Sequence, residues 1–161
     1  MSGEVLGYYE LCKLVDAGVI RGVREGAIQP ASIDLYIADD WDAVALGTYR
    51  KRKGKKWKKR RKPPFALTVV NEEFAIPLDL VGFIHGVSTI ARQFVIPHAA
   101  GLLDPGYQGR PTLEVMNMSL NPFRLEPGMR IAQVVFHRVV GAKAYEGRYQ
   151  GDRHAQGPKE E

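Results

Sequence analysis

Apolar residues Val5, Leu6, Tyr9, Leu11, Leu14 and Val15 recur at close to helical spacing, so residues 5–26 are predicted to begin as a helix. Ala17-Gly18 supplies its stop. The period then changes. In Ile28–Ile37 the apolar Ile33, Leu35 and Ile37 alternate with Ser32, Asp34 and Tyr36, the pattern of a strand with one face buried. That alternation puts Asp34 on the face opposite Ile33 and Leu35, where a strand acid is expected to be solvated or to cap a turn.

From Phe65 onward the pattern is a series of short apolar runs: 66–70, 74–76, 80–84, 94–96, 112–116 and 131–136. Pro, Gly and Asn punctuate them. The segment N-P-F-R-L-E-P-G-M-R (121–130) reads as a strand edge and a Pro-Gly turn leading into I-A-Q-V-V-F. There is no strand–helix alternation, heptad or internal repeat. A mainly β fold follows, a distorted barrel or jelly roll with one N-terminal helix.

The chain has 161 residues, expected to form one domain with a core of its own. The apolar fraction of 45% and charged fraction of 25% are those of an ordinary globular protein. Cys12 is the only cysteine, so no intrachain disulfide forms, and a reducing compartment fits. No apolar run is long enough to span a bilayer, and M-S-G-E-V-L-G-Y-Y-E lacks the pattern of a secretory leader. No membrane partner and a cytoplasmic location are expected.

Charge is concentrated in one place. Residues 50–62 read R-K-R-K-G-K-K-W-K-K-R-R-K, with 11 basic residues and no acid. Without them the 23 basic residues fall to 12, against 18 acidic ones, and a net charge of +5 becomes −6. Gly54 and Pro63-Pro64 mark this run as a protruding hairpin or a disordered loop inserted in the domain. It is either a solvated insertion or an electrostatic contact with nucleic acid or polyphosphate, with Trp57 offering a stacking face. The polar, glycine-rich tail (146–161) is expected to be flexible unless it docks onto something.

Chemistry-bearing residues crowd into Gly86–Glu114. A zinc nucleotide deaminase needs H-x-E and P-C-x-x-C, which one cysteine cannot supply. There is no Walker A loop and no G-x-S-x-G elbow to make Ser88 a nucleophile with His98 as its base. What remains is Ser88, Thr89, Arg92, Asp104 and Glu114. Gly86 and the two hydroxyls can offer donors to phosphate oxygens. Glu114 shares a strand face with Thr112 and Met116, either toward a cleft, where a half-buried carboxylate suits general-base work, or toward solvent. Asp104-Pro105-Gly106 reads as a type I or II turn.

The motifs I-Q-P-A-S-I-D-L (28–35), L-V-G-F-I-H-G-V-S-T-I-A-R (80–92), A-A-G-L-L-D-P-G-Y-Q-G (99–109), T-L-E (112–114), P-G-M-R-I-A-Q-V-V-F (127–136) and R-Y-Q-G (148–151) occur in one order across nearly the whole chain. In this they resemble the dCTP deaminase family, which shares its fold with trimeric dUTPases. The resemblance implies a dUTPase-type β fold and a homotrimer with active sites between subunits. It also implies Mg²⁺ carried on the substrate triphosphate, and a C-terminal lid. By position, Glu114 matches the general base that activates water for attack on cytosine C4, and Arg92 the arginine that supports base and water. Ser88 and Thr89 match the phosphate-binding hydroxyl pair, and Ala100 the residue whose carbonyl holds the water. Asp104 matches the acid near the deoxyribose 3′-OH, and Tyr107 the aromatic beneath the sugar. Arg148, Tyr149 and Gln150 match the closing tail, with Gln133 a further polar contact.

The chain departs from the family pattern in three places. Val87 stands where the family has an arginine, the segment 98–104 is one residue short, and the basic run 50–62 has no counterpart. The resemblance therefore implies a dCTP deaminase acting on dCTP, alone or coupled to onward hydrolysis to dUMP. A dUTPase without deaminase activity, with Asp104 or Asp34 placing the water, is the alternative. A catalytically weak barrel that binds nucleic acid through the basic run is the third reading.

Overall fold

A computed structural model describes residues 4–47, 49–53, 56–60, 62–97 and 100–160, with backbone alone for 49–53 and 56–60. His98 and the side chains of Trp57 and its basic neighbours therefore lie outside the described residues. Helix α1 (Tyr8–Asp16) comes first and buries Leu11 completely, with Leu14 and Val15 packed against the same core. The helix starts three residues later than predicted, because Val5 bridges to His137 and the Leu6 N–H donates to the Phe136 carbonyl. Helix α2 (Ser88–Ala91) is a single turn where only a Gly-led turn was expected.

The strands are β1 (Ile20–Arg21), β2 (Ile33–Tyr36), β3 (Val44–Leu46), β4 (Tyr49–Lys53), β5 (Lys56–Arg60), β6 (Phe65–Val69), β7 (Glu73–Ala75), β8 (Leu80–Gly86), β9 (Val95–Ile96), β10 (Leu102–Leu103), β11 (Gln108–Gly109), β12 (Thr112–Asn117), β13 (Phe123–Leu125) and β14 (Arg130–Arg138). Among the described residues all the strand pairings are antiparallel. The four-stranded sheet β10-β8-β14-β2 is the spine. Its longest ladder runs from Ala132↔Gly86 to Arg138↔Leu80. Beside it lie the sheets β6-β12-β9 and β1-β7-β11 and the pairs β13-β3 and β4-β5. The fold is mainly β, as the apolar runs predict, and within the basic run β4 and β5 pair as an antiparallel hairpin.

Phe74, Phe136, Leu11, Leu113, Leu125 and Ile131 are among the fully buried side chains of one continuous core cluster. Two acids enter that interior. Asp34 is buried along with Ile33 and Leu35, contrary to the alternation, which placed it on a solvated face. It is tolerated there because Arg130 Nη1 donates to Oδ2 at 2.8 Å and Gln29 Nε2 at 3.3 Å. Glu72 is fully buried, with Oε2 accepting the Tyr36 N–H at 3.2 Å and Oε1 without a partner among the described residues. Burial pushes its carboxyl up to about 7, against the pull of that N–H and of Arg24 and Arg110.

The tail is docked. The Gly151 N–H donates to the Gln108 carbonyl at 2.8 Å, and the Arg110 N–H to the Asp152 carbonyl at 2.7 Å. Gln150 spans the same seam, Oε1 accepting from the Gln108 N–H and Nε2 donating to the Gly106 carbonyl. Such a close approach requires glycine at 109. Its φ is 135°, and a Cβ there would sit 2.5 Å from the Asp152 carbonyl oxygen.

Two predictions follow from these features. In Gly109→Ala the seam parts, so hydrogen exchange at the Gly151 and Arg110 amides accelerates at least tenfold; unchanged protection would contradict the steric argument. For Glu72, the folded state holds its proton more tightly than the unfolded chain does. The resulting stability is full below pH 4.5 and is lost as pH rises through about 7, a total of about 3 kcal/mol. Urea midpoints at pH 4.5 and pH 8.5 are expected to show this loss in the native protein and not in Glu72→Gln, whereas parallel profiles would refute it.

Candidate active site

Strand β12 alternates cleanly, with Leu113, Val115 and Asn117 inward and Thr112, Glu114 and Met116 on the other face. Glu114 is half-buried opposite Leu67 of β6, and both line a cavity of about 430 Å³. That volume falls in the range of small-molecule sites, about 300–1,000 Å³. The alternation thus resolves toward the cleft and not toward open solvent.

The opposite wall is the turn 104–107. The Tyr107 N–H donates to the Asp104 carbonyl at 3.0 Å, and Gly106 has φ 82°, the signature of a type II turn with proline at its second position. This presents Asp104 to the cavity and buries Tyr107, which packs edge-on against Tyr145 with centroids 5.8 Å apart. Burial, then the proximity of Asp152 and Tyr145, pushes the Tyr107 phenol well above its ordinary range, so it stays protonated and apolar in character. Ala100 lines the cavity just before the Gly101 carbonyl, which accepts the Ile84 N–H at 2.8 Å.

The tail closes one side. Tyr149, Asp152 and Gln156 line the cavity, and the Gln156 N–H donates to Thr112 Oγ1 at 3.1 Å. Lys159 brackets the end, with Nζ 2.8 Å from both Asp152 Oδ1 and the Arg148 carbonyl and 5.3 Å from the Tyr149 ring centroid. Arg148 Nη1 donates back to the Lys159 carbonyl at 2.8 Å. Asp152 Oδ2 is buried without a partner among the described residues.

Of the expected residues, the fold brings Ala100, Asp104, Tyr107, Glu114 and Tyr149 to one cavity, with Gln150 and Arg148 along its tail seam. Ser88, Thr89 and Arg92 are not among the lining residues; Ser88 and Thr89 lie exposed on α2, which buries Ile90, and Arg92 lies exposed just after it. Asp34 and Gln133 sit elsewhere too, paired in register on β2 and β14, where Ser32 Oγ donates to Gln133 Oε1 at 3.1 Å. Val87 is 5% exposed and part of the core, so it is a packing residue preceding α2.

Sequence reasoning missed Arg110, Tyr145, Asp152 and Gln156. Arg110 lines the cavity, but its guanidinium is engaged: Nη1 and Nη2 hold Asp40 at 3.2 and 2.9 Å, and Nε donates to the Val70 carbonyl at 2.8 Å. That contact holds the Asp40 carboxyl below its usual range. The signal in the sequence was proximity, since Arg110 stands two residues before Thr112 in the crowded stretch. Asp152 and Gln156 gave none.

The charge arrangement is informative. Asp104 and Glu114 face the cavity, while Arg110 and Lys159 are paired to Asp40 and Asp152. Such a lining suits a neutral, hydrogen-bonding heterocycle and sugar better than it suits a polyanion.

Comparison with known proteins gives this arrangement a family. A family model described as dCTP deaminase-like matches residues 61–139. A dCTP deaminase of Halorubrum lacusprofundi is 33% identical over 154 aligned positions, covering 76% of this chain and 75% of that protein. A dCTP deaminase of Natronomonas pharaonis is 41% identical over 107 positions, covering 55% of each chain. A dUMP-forming dCTP deaminase of Methanopyrus kandleri is 42% identical over 80 positions, covering 46% of this chain and 42% of that one. The chain thus spans about half the length of several curated relatives it matches. Among solved structures, the 2′-deoxycytidine 5′-triphosphate deaminase of Agrobacterium tumefaciens superposes with a TM-score of 0.64 at 17% identity, over 86% of this chain and 50% of that one. A Staphylococcus bacteriophage 80alpha dUTPase gives 0.51 at 17% identity, over 80% and 94%. The fold is therefore of the dUTPase type, and the chain belongs to the dCTP deaminase family.

Proposed function

We propose that this protein deaminates dCTP to dUTP and ammonia, as a cytoplasmic enzyme of nucleotide metabolism. The observation that carries this is Glu114, held half-buried on the cavity wall between two core residues and facing the same space as Asp104 and Tyr107. A carboxylate so placed takes a proton from water as its oxygen attacks C4 of the pyrimidine. One water proton passes to the amino group and the other, lost from the adduct's hydroxyl, ends on N3; the C4–N bond breaks and ammonia leaves as the C4 carbonyl forms. Asp104 accepts a hydrogen bond from the deoxyribose hydroxyl, Tyr107 supports the sugar, and the Ala100 carbonyl orients the water. Neighbours such as the Methanopyrus kandleri protein, named dUMP-forming, support a second step at the same cavity, hydrolysis of dUTP to dUMP and pyrophosphate.

Arg110 at the cavity is engaged by Asp40, and the further groups suited to a triphosphate lie outside the cavity. Ser88 and Thr89 are exposed on α2 and Arg92 just after it, and next to Glu114 an apolar row crosses three strands in register: Phe65 (62% exposed), Met116 (38%) and Ile96 (38%). An exposed row of this kind supports burial against another copy of the chain. In this reading the protein is a homotrimer, and α2 of one protomer completes the cavity of the next. Magnesium belongs to the same reading. Among the described residues no three His, Cys, Asp or Glu side chains converge to hold a cation, and a magnesium ion commonly comes carried by substrate phosphates. Asp152, with Oδ2 unpartnered among the described residues, is the residue of this chain that would meet it; the ion would neutralise phosphate charge.

Incubating the protein with dCTP and Mg²⁺, and separately with dUTP, and measuring ammonia, dUMP and pyrophosphate tests the reading. Ammonia from dCTP is expected in either case, joined by pyrophosphate if the second step operates. Pyrophosphate from dUTP with no ammonia from dCTP would make the protein a dUTPase and overturn the deaminase assignment.

A further inference from the structure

The hairpin β4–β5 has a register that costs the fold something and that the cavity chemistry does not use. Its cross-strand partners are Tyr49↔Arg60, Arg50↔Lys59, Lys51↔Lys58, Arg52↔Trp57 and Lys53↔Lys56. Three of these five pairs set one cation directly opposite another, an arrangement that opposes strand pairing. The two strands hold four cations each, eight in all, and no acid. Among the described residues they pair only with each other. The base of the hairpin is closed on the body by the Gly47 N–H donating to the Pro63 carbonyl at 3.0 Å and the Lys62 N–H donating to the Gly47 carbonyl at 3.2 Å. A cationic ribbon is therefore held out from a body whose remaining charge is net negative.

Residues directly opposite share a face, and faces alternate along each strand. One face carries Lys51, Lys53, Lys56, Lys58 and Arg60 with Tyr49; the other carries Arg50, Arg52 and Lys59 with Trp57. We propose that this ribbon is a docking site for single-stranded nucleic acid, with phosphates neutralised along its cationic rows and a base stacked at Trp57. Three features of the register favour that occupant. Its charge is spread over the whole ribbon, roughly 16 Å long, and matches a partner with an evenly repeated charge, which a phosphodiester backbone has. An aromatic set among cations on one face is the composition that binds unpaired bases. Neutralising the opposed cations also removes the repulsion within the hairpin, so binding and hairpin order reinforce each other. The proposal stands apart from the reading of the cavity, and neither depends on the other.

The test uses the whole protein and a fluorescent twenty-residue oligothymidylate, read by anisotropy from 50 to 300 mM salt. Binding is expected to weaken linearly on a log–log plot with a slope near −3, the value for about four phosphates on a single strand. Replacing Lys51, Lys53, Lys56 and Lys58 with glutamine is expected to weaken binding at least tenfold at 50 mM salt and flatten the slope. Trp57→Ala is expected to weaken it about fivefold with the slope unchanged. Thermal melts and far-UV circular dichroism matching the native protein show that both variants fold. Salt-independent or absent binding, or native affinity in the four-glutamine variant, would overturn the proposal. So would a duplex of the same length binding as tightly, polyglutamate competing as well as the oligonucleotide, or micromolar dCTP displacing it, which would assign the ribbon to the cavity instead.

Discussion

The cavity exists because a two-residue strand is hydrogen-bonded along both of its edges. On one edge β11 pairs with β7, Gln108 opposite Ala75 and Gly109 opposite Phe74. On the other, the tail lies against Gln108 and Arg110 through the Gly151 and Asp152 backbone. A strand this short has little pairing of its own, and isolated two-stranded ribbons are marginal. Seating it between a core strand and the tail places the 104–107 turn, with Asp104 and Tyr107, against Glu114. Arg110 adds rigidity from beside it, joining the Asp40 loop and the Val70 carbonyl through one planar guanidinium.

The separation of charge follows from that geometry. The tail brings Lys159 to the edge of the cavity but pairs it with Asp152, and Arg110 is paired to Asp40. The carboxylates of Asp104 and Glu114 face the cleft. A nucleotide has a neutral end and an anionic end, and in the proposed reading the wall described here meets the neutral one. In the proposed reading the exposed hydroxyls of α2 and the Arg92 guanidinium that follows it serve the other, and the apolar row beside Glu114 is where two copies would meet. Val87 belongs to this division. Its place in the core means α2 is anchored by packing, and that position adds no cation to the phosphate end.

Local pattern made some of this legible in the sequence. Alternation across 112–116 put Glu114 and Thr112 on one face, and Asp-Pro-Gly announced the turn. The apolar runs located β6, β8, β12 and β14 to within a few residues. Features set by distant partners were hidden. Asp34 reads as a solvated acid because its partner Arg130 lies 96 residues away. The two-residue strands β1, β10 and β11 have no period long enough to register, and exist through tertiary pairing. The tail's glycine-rich composition signals flexibility, and its docking depends on the absence of a Cβ at Gly109, which composition does not reveal. Burial of Glu72 beside the Tyr36 amide was equally invisible.

The central claim is that Glu114 of one protomer activates water in a cavity completed by Arg92 of another. Ammonia release from dCTP by Glu114→Gln, by Arg92→Ala and by an equimolar co-refolded mixture of the two tests it most directly. Each variant alone is expected to release none while still binding dCTP. The mixture is expected to recover activity at about a quarter of its sites, those that unite an intact Glu114 with an intact Arg92. Native rates from Glu114→Gln, or a mixture as silent as its parts, would contradict the account.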